Sequence, residues 1–258
     1  MNNLIIISVL PVLLIGIFIY TKDRNKEPKS LLLKLLLGGI GSVFLVFIIS
    51  DIIHLFIPNF YELDKSENLM TILLYAVLGI GLVEEFSKWI FAYKISYNNK
   101  EFDELYDMII YCVFVSLGFA LFENLGYVLL NGMAVGITRA IFAVPGHACN
   151  GVFMGHYLGL AKYYDLQKRE DLKRKNMALS IIVPTLIHGT YDFLLLSGNG
   201  WFVLVFLILI VCLYIFTIKR INKTAILDTN FYYKKRFCTN CGKEVKDNFC
   251  GNCGQKVE

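Results

Sequence analysis

Apolar runs long enough to cross a bilayer dominate this chain and leave it few folds. Seven segments approach or exceed the roughly 20 residues that a helix needs to span the hydrocarbon: 4–20, 31–57, 69–93, 107–130, 140–161, 177–196 and 201–218. Inside lipid, backbone polar groups must pair internally, which leaves helices or a closed barrel. The runs are continuous rather than alternating, so the barrel pattern is excluded. With 56% hydrophobic residues the chain is also too apolar for an ordinary soluble domain. The expected fold class is all-α, a polytopic transmembrane helical bundle of about seven spans over residues 1–220. The first run has neither a basic leading region nor a small-residue cleavage site, so it reads as a helix rather than a signal peptide.

Lysine and arginine in short loops orient such a bundle. The loops at 21–30, 94–106 and 162–176 together hold twelve basic residues, whereas 58–68, 131–139 and "SGNG" hold two, Lys65 and Arg139. With seven spans every rich loop lies on one side, which should be the cytoplasm. The expectation is a multi-pass cell-membrane protein with its N-terminus outside and its C-terminal tail inside.

That tail, after a linker at 221–236, reads as a separate module at 237–258. "CTNCGKEVKDNFCGNCG" contains two C-x-x-C pairs, Cys238 with Cys241 and Cys250 with Cys253, each followed by glycine. A glycine there permits the tight turn that aims backbone N–H groups at thiolates. Four thiolates so spaced suit a tetrahedral structural zinc, a short zinc ribbon. Two disulfides are the alternative, and a reducing compartment disfavours them. The module has too few apolar residues for a core, so the metal should hold its fold. A closed four-cysteine site leaves no position for chemistry, so docking to an unknown cytoplasmic partner is expected. No nucleic-acid partner is expected. Cys112, Cys149 and Cys212 lie singly in spans and read as small packing residues.

Ionisable residues inside spans are costly and usually functional. Span three carries Glu84, Glu85 and Lys88 in "LVEEFSKW"; span four carries Glu123; span five carries His147; span six carries His188 and Asp192. Lys88 lies four and three residues after the glutamates, so it can neutralise one and leave the other for chemistry. His188 and Asp192, four apart, share a face. Gly151, Gly155 and Gly159 form a small-residue stripe that lets span five approach a neighbour closely. Pro184 should loosen the helix one turn before His188. His54 reads as interfacial and His156 as packing or rim. A Glu–Lys pair or a lone histidine can simply glue helices together, but ionisable groups over four consecutive spans exceed that need. Carboxylates with two histidines can activate water or bind a metal that does so. The span limits put Glu84 and Glu85 past the middle of the membrane toward the cytoplasm and Glu123 and His188 in the middle or outer half, an axial offset of up to roughly 10–15 Å at about 1.5 Å per residue.

At these residues the pattern resembles the PrsW family of intramembrane proteases, relatives of the CAAX-prenyl-protease superfamily and of the gamma-secretase scaffold subunit. Its E-E-x-x-K appears as Glu84, Glu85 and Lys88, and its F-x-x-x-E as Phe119 and Glu123. Its single-histidine span appears as His147 with Gly151 and Gly155, and its H-x-x-x-D as His188 and Asp192. The resemblance covers about residues 70–196. It implies an intramembrane peptidase acting on a membrane-anchored protein, with an anti-sigma factor as the expected substrate class. Glu84 or Glu85 would activate water; His147 and His188 would act as metal ligands or oxyanion donors. A metal at the membrane site and a metal-free glutamate mechanism both stay open. A non-catalytic scaffold and a proton-coupled transporter are the alternative readings; no internal repeat supports the latter.

Overall fold

A computed structural model of the chain describes residues 2–226, 236–245 and 251–256. The described membrane domain is helical: α1 (Asn2–Lys22), α2 (Lys29–Phe56), α3 (Leu69–Leu74), α4 (Leu82–Ser96), α5 (Leu105–Asn131), α6 (Met133–Ile141), α7 (Ala143–Leu166), α8 (Glu170–Leu196) and α9 (Gly200–Ile226). A π-helical turn, Tyr75–Gly81, joins α3 to α4 into one rod, and a 3₁₀ turn, Phe60–Lys65, precedes it. Six rods are long and apolar enough to cross a membrane: α1, α2, α3–α4, α5, α8 and α9. The remaining expected span is α7. Its glycines, His147, Asn150 and His156 dilute its apolarity, yet Val144, Val152, Met154 and Leu158 are buried. A helix wrapped by other helices does not need a lipid-facing surface.

The centre of the bundle is α5. Of its most apolar stretch 78% is buried, against 22% for α1 and for α9. Its start is set by a capping box in which Glu104 and Asp107 satisfy each other's backbone N–H groups. One face of α5 takes α7 at backbone contact. A Cβ on Gly155 would stand 2.5 Å from the Met108 carbonyl oxygen, so only glycine allows this approach. Exposed Leu, Ile and Phe cover the outer faces of α1, α2 and α9, as a lipid-bathed surface requires.

Several boundaries differ from the sequence reading; α7 runs on to Leu166 and α8 starts at Glu170, so the basic loop expected at 162–176 shrinks to a short turn. Residues 131–139, expected as a loop, largely form α6. The expected span at 140–161 begins instead at Ala143, because the chain turns at Phe142 and Pro145 sits in the first turn of α7. Helix α9 continues past 218 to Ile226, into the segment expected as linker. Pro184 is buried within α8, which runs unbroken through it.

The turn at 23–28 is tied to α5. Asp23 accepts from the backbone N–H groups of Asn25 and Glu27, and the Tyr111 hydroxyl donates to Glu27 at 2.6 Å. Cys112 and Cys149 are buried as expected, whereas Cys212 is exposed on α9, facing outward rather than into the packing. His54 is exposed near the end of α2, with its ring 5.0 Å from that of Tyr61. His156 is half-buried beside Tyr157. In the tail, Arg236–Phe237 pairs antiparallel with Glu244–Val245.

Candidate active site

Helix α4 begins straight after the π-helical turn, and its sequence places Lys88 where it reaches both preceding carboxylates. The ammonium lies 2.8 Å from Glu85 Oε1 and 3.2 Å from Glu84 Oε2. It is fully buried, 3.9 Å above the Phe119 ring and 3.1 Å from His147 Nδ1. Lys88 therefore links α4 to α5 and α7 at once.

His147 Nε2 stands 2.8 Å from Glu123 Oε2. With Lys88 donating to Nδ1, the proton on neutral His147 belongs on Nε2, donated to Glu123. His188 Nδ1 lies 2.8 Å from Glu85 Oε1. Its Nε2 is 3.4 Å from Asp192 Oδ2 and 3.7 Å from Glu84 Oε2. The two imidazole rings meet edge to face, 5.3 Å apart. All seven residues singled out in the sequence, Glu84, Glu85, Lys88, Glu123, His147, His188 and Asp192, thus form one connected cluster.

The expected axial mismatch is absent, and glycines account for it. A Cβ on Gly81 would stand 2.9 Å from the Thr185 carbonyl oxygen; one on Gly189 would stand 2.5 Å from Val77 Cα. These two contacts lock the π-helical turn against α8 in a single register. That register brings Glu85 level with His188. The span limits alone carry no information about such a stagger, because neighbouring helices may slide.

Two members of the cluster escaped the sequence reading. Asn150, three residues after His147 on α7, donates to Glu85 Oε1 at 3.3 Å. Arg139, counted as a loop charge, projects from α6 with Nη2 2.8 Å from Glu123 Oε2. The available signals were the one-face spacing of His147 and Asn150 and the amphipathic pattern of "MAVGITRAI" around a lone arginine.

A cavity of about 200 Å³ opens beside the cluster. Glu84, Glu123, His147, Asn150, His188 and Asp192 line its polar part. Ile187, Leu195 and Leu213 contribute an apolar wall, with Tyr127 and Tyr191 between. Glu84 faces this space, whereas Glu85 is wholly buried behind it and holds three donors on one oxygen.

The donor set suits a transition metal. Glu84, Glu85, His147 and His188 each offer a ligand atom, all within 4.8 Å of one another, and mixed imidazole and carboxylate donors are what zinc takes. Glu85 Oε2 is buried without a hydrogen-bond partner. With both imidazoles neutral, as metal ligands are, four carboxylates face two side-chain cations, Lys88 and Arg139, and a dication would balance that excess. In the tail, Cys238, Cys241 and Cys253 also offer thiolates within 4.8 Å, and Gly242 and Gly254 adopt φ of +68° and +74°. Cys250, the fourth expected ligand, lies outside the described residues.

A family profile described as "PrsW family intramembrane metalloprotease" matches residues 27–218. A protein named Protease PrsW from Oceanobacillus iheyensis is 33% identical over 231 residues, covering 88% of this chain and 100% of the relative. Namesakes from Geobacillus kaustophilus and Bacillus subtilis are 37% and 34% identical, covering 78% and 71% of this chain and 83% and 78% of their own. No solved structure matches.

Proposed function

The chain belongs to the PrsW family of intramembrane proteases, and we propose that it hydrolyses a peptide bond of a membrane-anchored protein in the cavity beside Glu84 and His188. The observation that carries this reading is the convergence of Glu84, His147 and His188, from three helices, on one cavity, with Glu85 directly behind them. Protein substrate and membrane setting follow from the family and the apolar helices. A regulator of the anti-sigma type is the substrate class we assign, by resemblance.

In this mechanism Glu84 is the general base. It faces the cavity and lies across from His188 Nε2, so a water held between them can lose its proton to Glu84. The oxygen then attacks the substrate carbonyl, and His188 in its imidazolium form, with Nδ1–H on Glu85, donates Nε2–H to the developing oxyanion. Glu84 returns the proton to the leaving amine. Glu85 orients His188 through Nδ1, and Asp192, 3.4 Å from Nε2 without a hydrogen bond to it, adds a negative charge beside the imidazole. Lys88 holds Glu84 and Glu85 apart from mutual repulsion. A metal held by Glu85, His147 and His188 would replace the His188 proton in this role, lowering the pKa of water and polarising the carbonyl, and would leave Glu84 as the base. The apolar wall of Ile187, Leu195 and Leu213 suits an unwound stretch of transmembrane peptide and keeps bulk water out.

We assign the N-terminus to the outside and the cysteine tail to the cytoplasm, following the basic loops. The tail at 237–258 is a zinc ribbon holding one structural zinc through Cys238, Cys241, Cys250 and Cys253, joined by the remainder of the linker to the membrane domain, whose last helix ends at Ile226.

The test is cleavage of a fluorescently labelled single-span reporter in proteoliposomes. Glu84→Gln should abolish turnover while leaving the melting temperature within a few degrees of wild type. Full turnover in Glu84→Gln would remove Glu84 from the chemistry and the mechanism with it.

A further inference from the structure

Helix α6 sends one cation inward. Arg139 is held on three sides. Its Nη2 lies 2.8 Å from Glu123 Oε2, its Nε donates to Asn124 Oδ1 at 3.2 Å, and its guanidinium sits 4.1 Å above the Tyr127 ring. Asn124 is wholly buried and anchored in turn, donating to the Ser8 carbonyl oxygen on α1 at 3.2 Å. The oxygen that Arg139 approaches, Glu123 Oε2, is also the one that meets His147 Nε2 at 2.8 Å. A single carboxylate oxygen therefore stands between the guanidinium and the imidazole. Helix α6 also packs on α1, α5 and α7, with Gly136 buried near Ile7 and Val128 and the Tyr214 hydroxyl donating to the Ile141 carbonyl oxygen at 2.7 Å, but most of its side chains are exposed.

We infer that Arg139 is a positioning residue of the peptidase site, acting through Glu123 to hold His147 in one orientation. A carboxylate in this setting can rotate about its terminal torsions. Arg139 holds one oxygen by an ion pair at 2.8 Å rather than by an aligned hydrogen bond, and its Nε hydrogen bond to Asn124 fixes where the guanidinium lies. With Glu123 pinned, His147 keeps its Nε2 proton pointed at the carboxylate and its Nδ1 toward Lys88. The order of contacts is Ser8, Asn124, Arg139, Glu123, His147, Lys88, Glu85, His188, so the strut runs from α1 to the face of the cavity.

This inference rests on the peptidase reading above, and the test separates the two. Arg139→Gln, Arg139→Lys and Glu123→Gln are assayed on the fluorescent reporter for kcat and KM, with melting temperature and the imidazole ¹⁵N spectrum of His147 as readouts independent of turnover. Removing a partner that orients a site group should lower kcat about 10–100-fold in Arg139→Gln, with KM within about twofold, the pattern of an interaction made in the transition state. Arg139→Lys should recover part of kcat. The His147 nitrogen signals should shift in Arg139→Gln toward those of Glu123→Gln. Unchanged kcat in Arg139→Gln beside a slow Glu123→Gln would overturn the inference alone. A lysine variant no faster than the glutamine variant, with both melting well below wild type, would assign Arg139 to docking α6 and also overturn it. Full kcat in Glu123→Gln would overturn the inference while leaving the peptidase reading standing, whereas no reporter cleavage by the wild-type chain would overturn the peptidase reading.

Discussion

Lys88 gives the sharpest test of how the site is held, because its loss should damage stability in a way that a second change repairs. The ammonium is wholly buried, 2.8 Å from one carboxylate and 3.2 Å from another. At an effective dielectric of about 20 those contacts amount to roughly 6 and 5 kcal/mol before the desolvation of the ammonium is set against them. Lys88→Met removes the cation, keeps the stem that lies against Phe119, and leaves two glutamates facing each other without a counter-charge. Breaking a buried pair in this way costs about 3–5 kcal/mol. For a domain of this size that is a fall in melting temperature of roughly 6–20 °C. The triple variant Lys88→Met, Glu84→Gln, Glu85→Gln carries no buried charge on α4 and should regain most of the loss while remaining inactive. Melting in detergent by intrinsic tryptophan fluorescence, with reporter cleavage alongside, reads both effects. A Lys88→Met variant as stable as wild type, or a triple variant no more stable than Lys88→Met, would refute the reasoning.

Other perturbations bear on other links. Gly189→Val places a Cβ 2.5 Å from Val77 Cα and should cost about 1–3 kcal/mol, with loss of reporter cleavage, as the register of α8 against the π-helical turn shifts; the same assays read it. Burial pushes the Glu27 carboxyl up to about 7, the Tyr111 hydroxyl opposing this and the nearby Asp23 charge adding to it. A folded state that holds a proton the unfolded chain has released loses stability as pH rises, here between about 4.5 and about 7. Glu27→Gln should flatten that decline in melting temperature measured from pH 5 to 8. A chain truncated after Arg236 should lose one zinc per molecule by elemental analysis relative to wild type; equal zinc in both would remove the metal from the tail.

Side-chain spacing along single helices was fully legible in the sequence. Glu84, Glu85 and Lys88 pair within α4, and His188 reaches Asp192 one turn on. Both follow from 3.6 residues per turn. The glycines of "HACNGVFMGHYLG" announced a helix that approaches another closely, and Gly155 does so. Relative axial position was not legible. It depends on which small residues meet across an interface, and the Gly81–Thr185 and Gly189–Val77 contacts decide it. Arg139 was hidden for a related reason. Loop charge counting assigns an arginine to an aqueous face, yet a short helix in the connection turns it back toward Glu123.

The pairing of charges also has a bearing on how such a chain enters the bilayer while it is being made. A lone charge at mid-membrane costs at least about 2.5–3.5 kcal/mol on insertion scales, and the α3–α4 rod emerges before any of its later partners exists. Because Lys88 meets Glu85 within one turn of the same helix, that rod can cross with one uncompensated charge instead of three. Glu123 then waits only for α6, the next element synthesised, to bring Arg139. His188 arrives with α8, after α4, α5 and α7 are in place. Each stage of threading is thus close to neutral, and the Glu/His cluster comes together only when translation of the membrane domain is nearly finished. A ribosome stalled earlier in the chain would release a fragment that inserts yet cannot cut its neighbours.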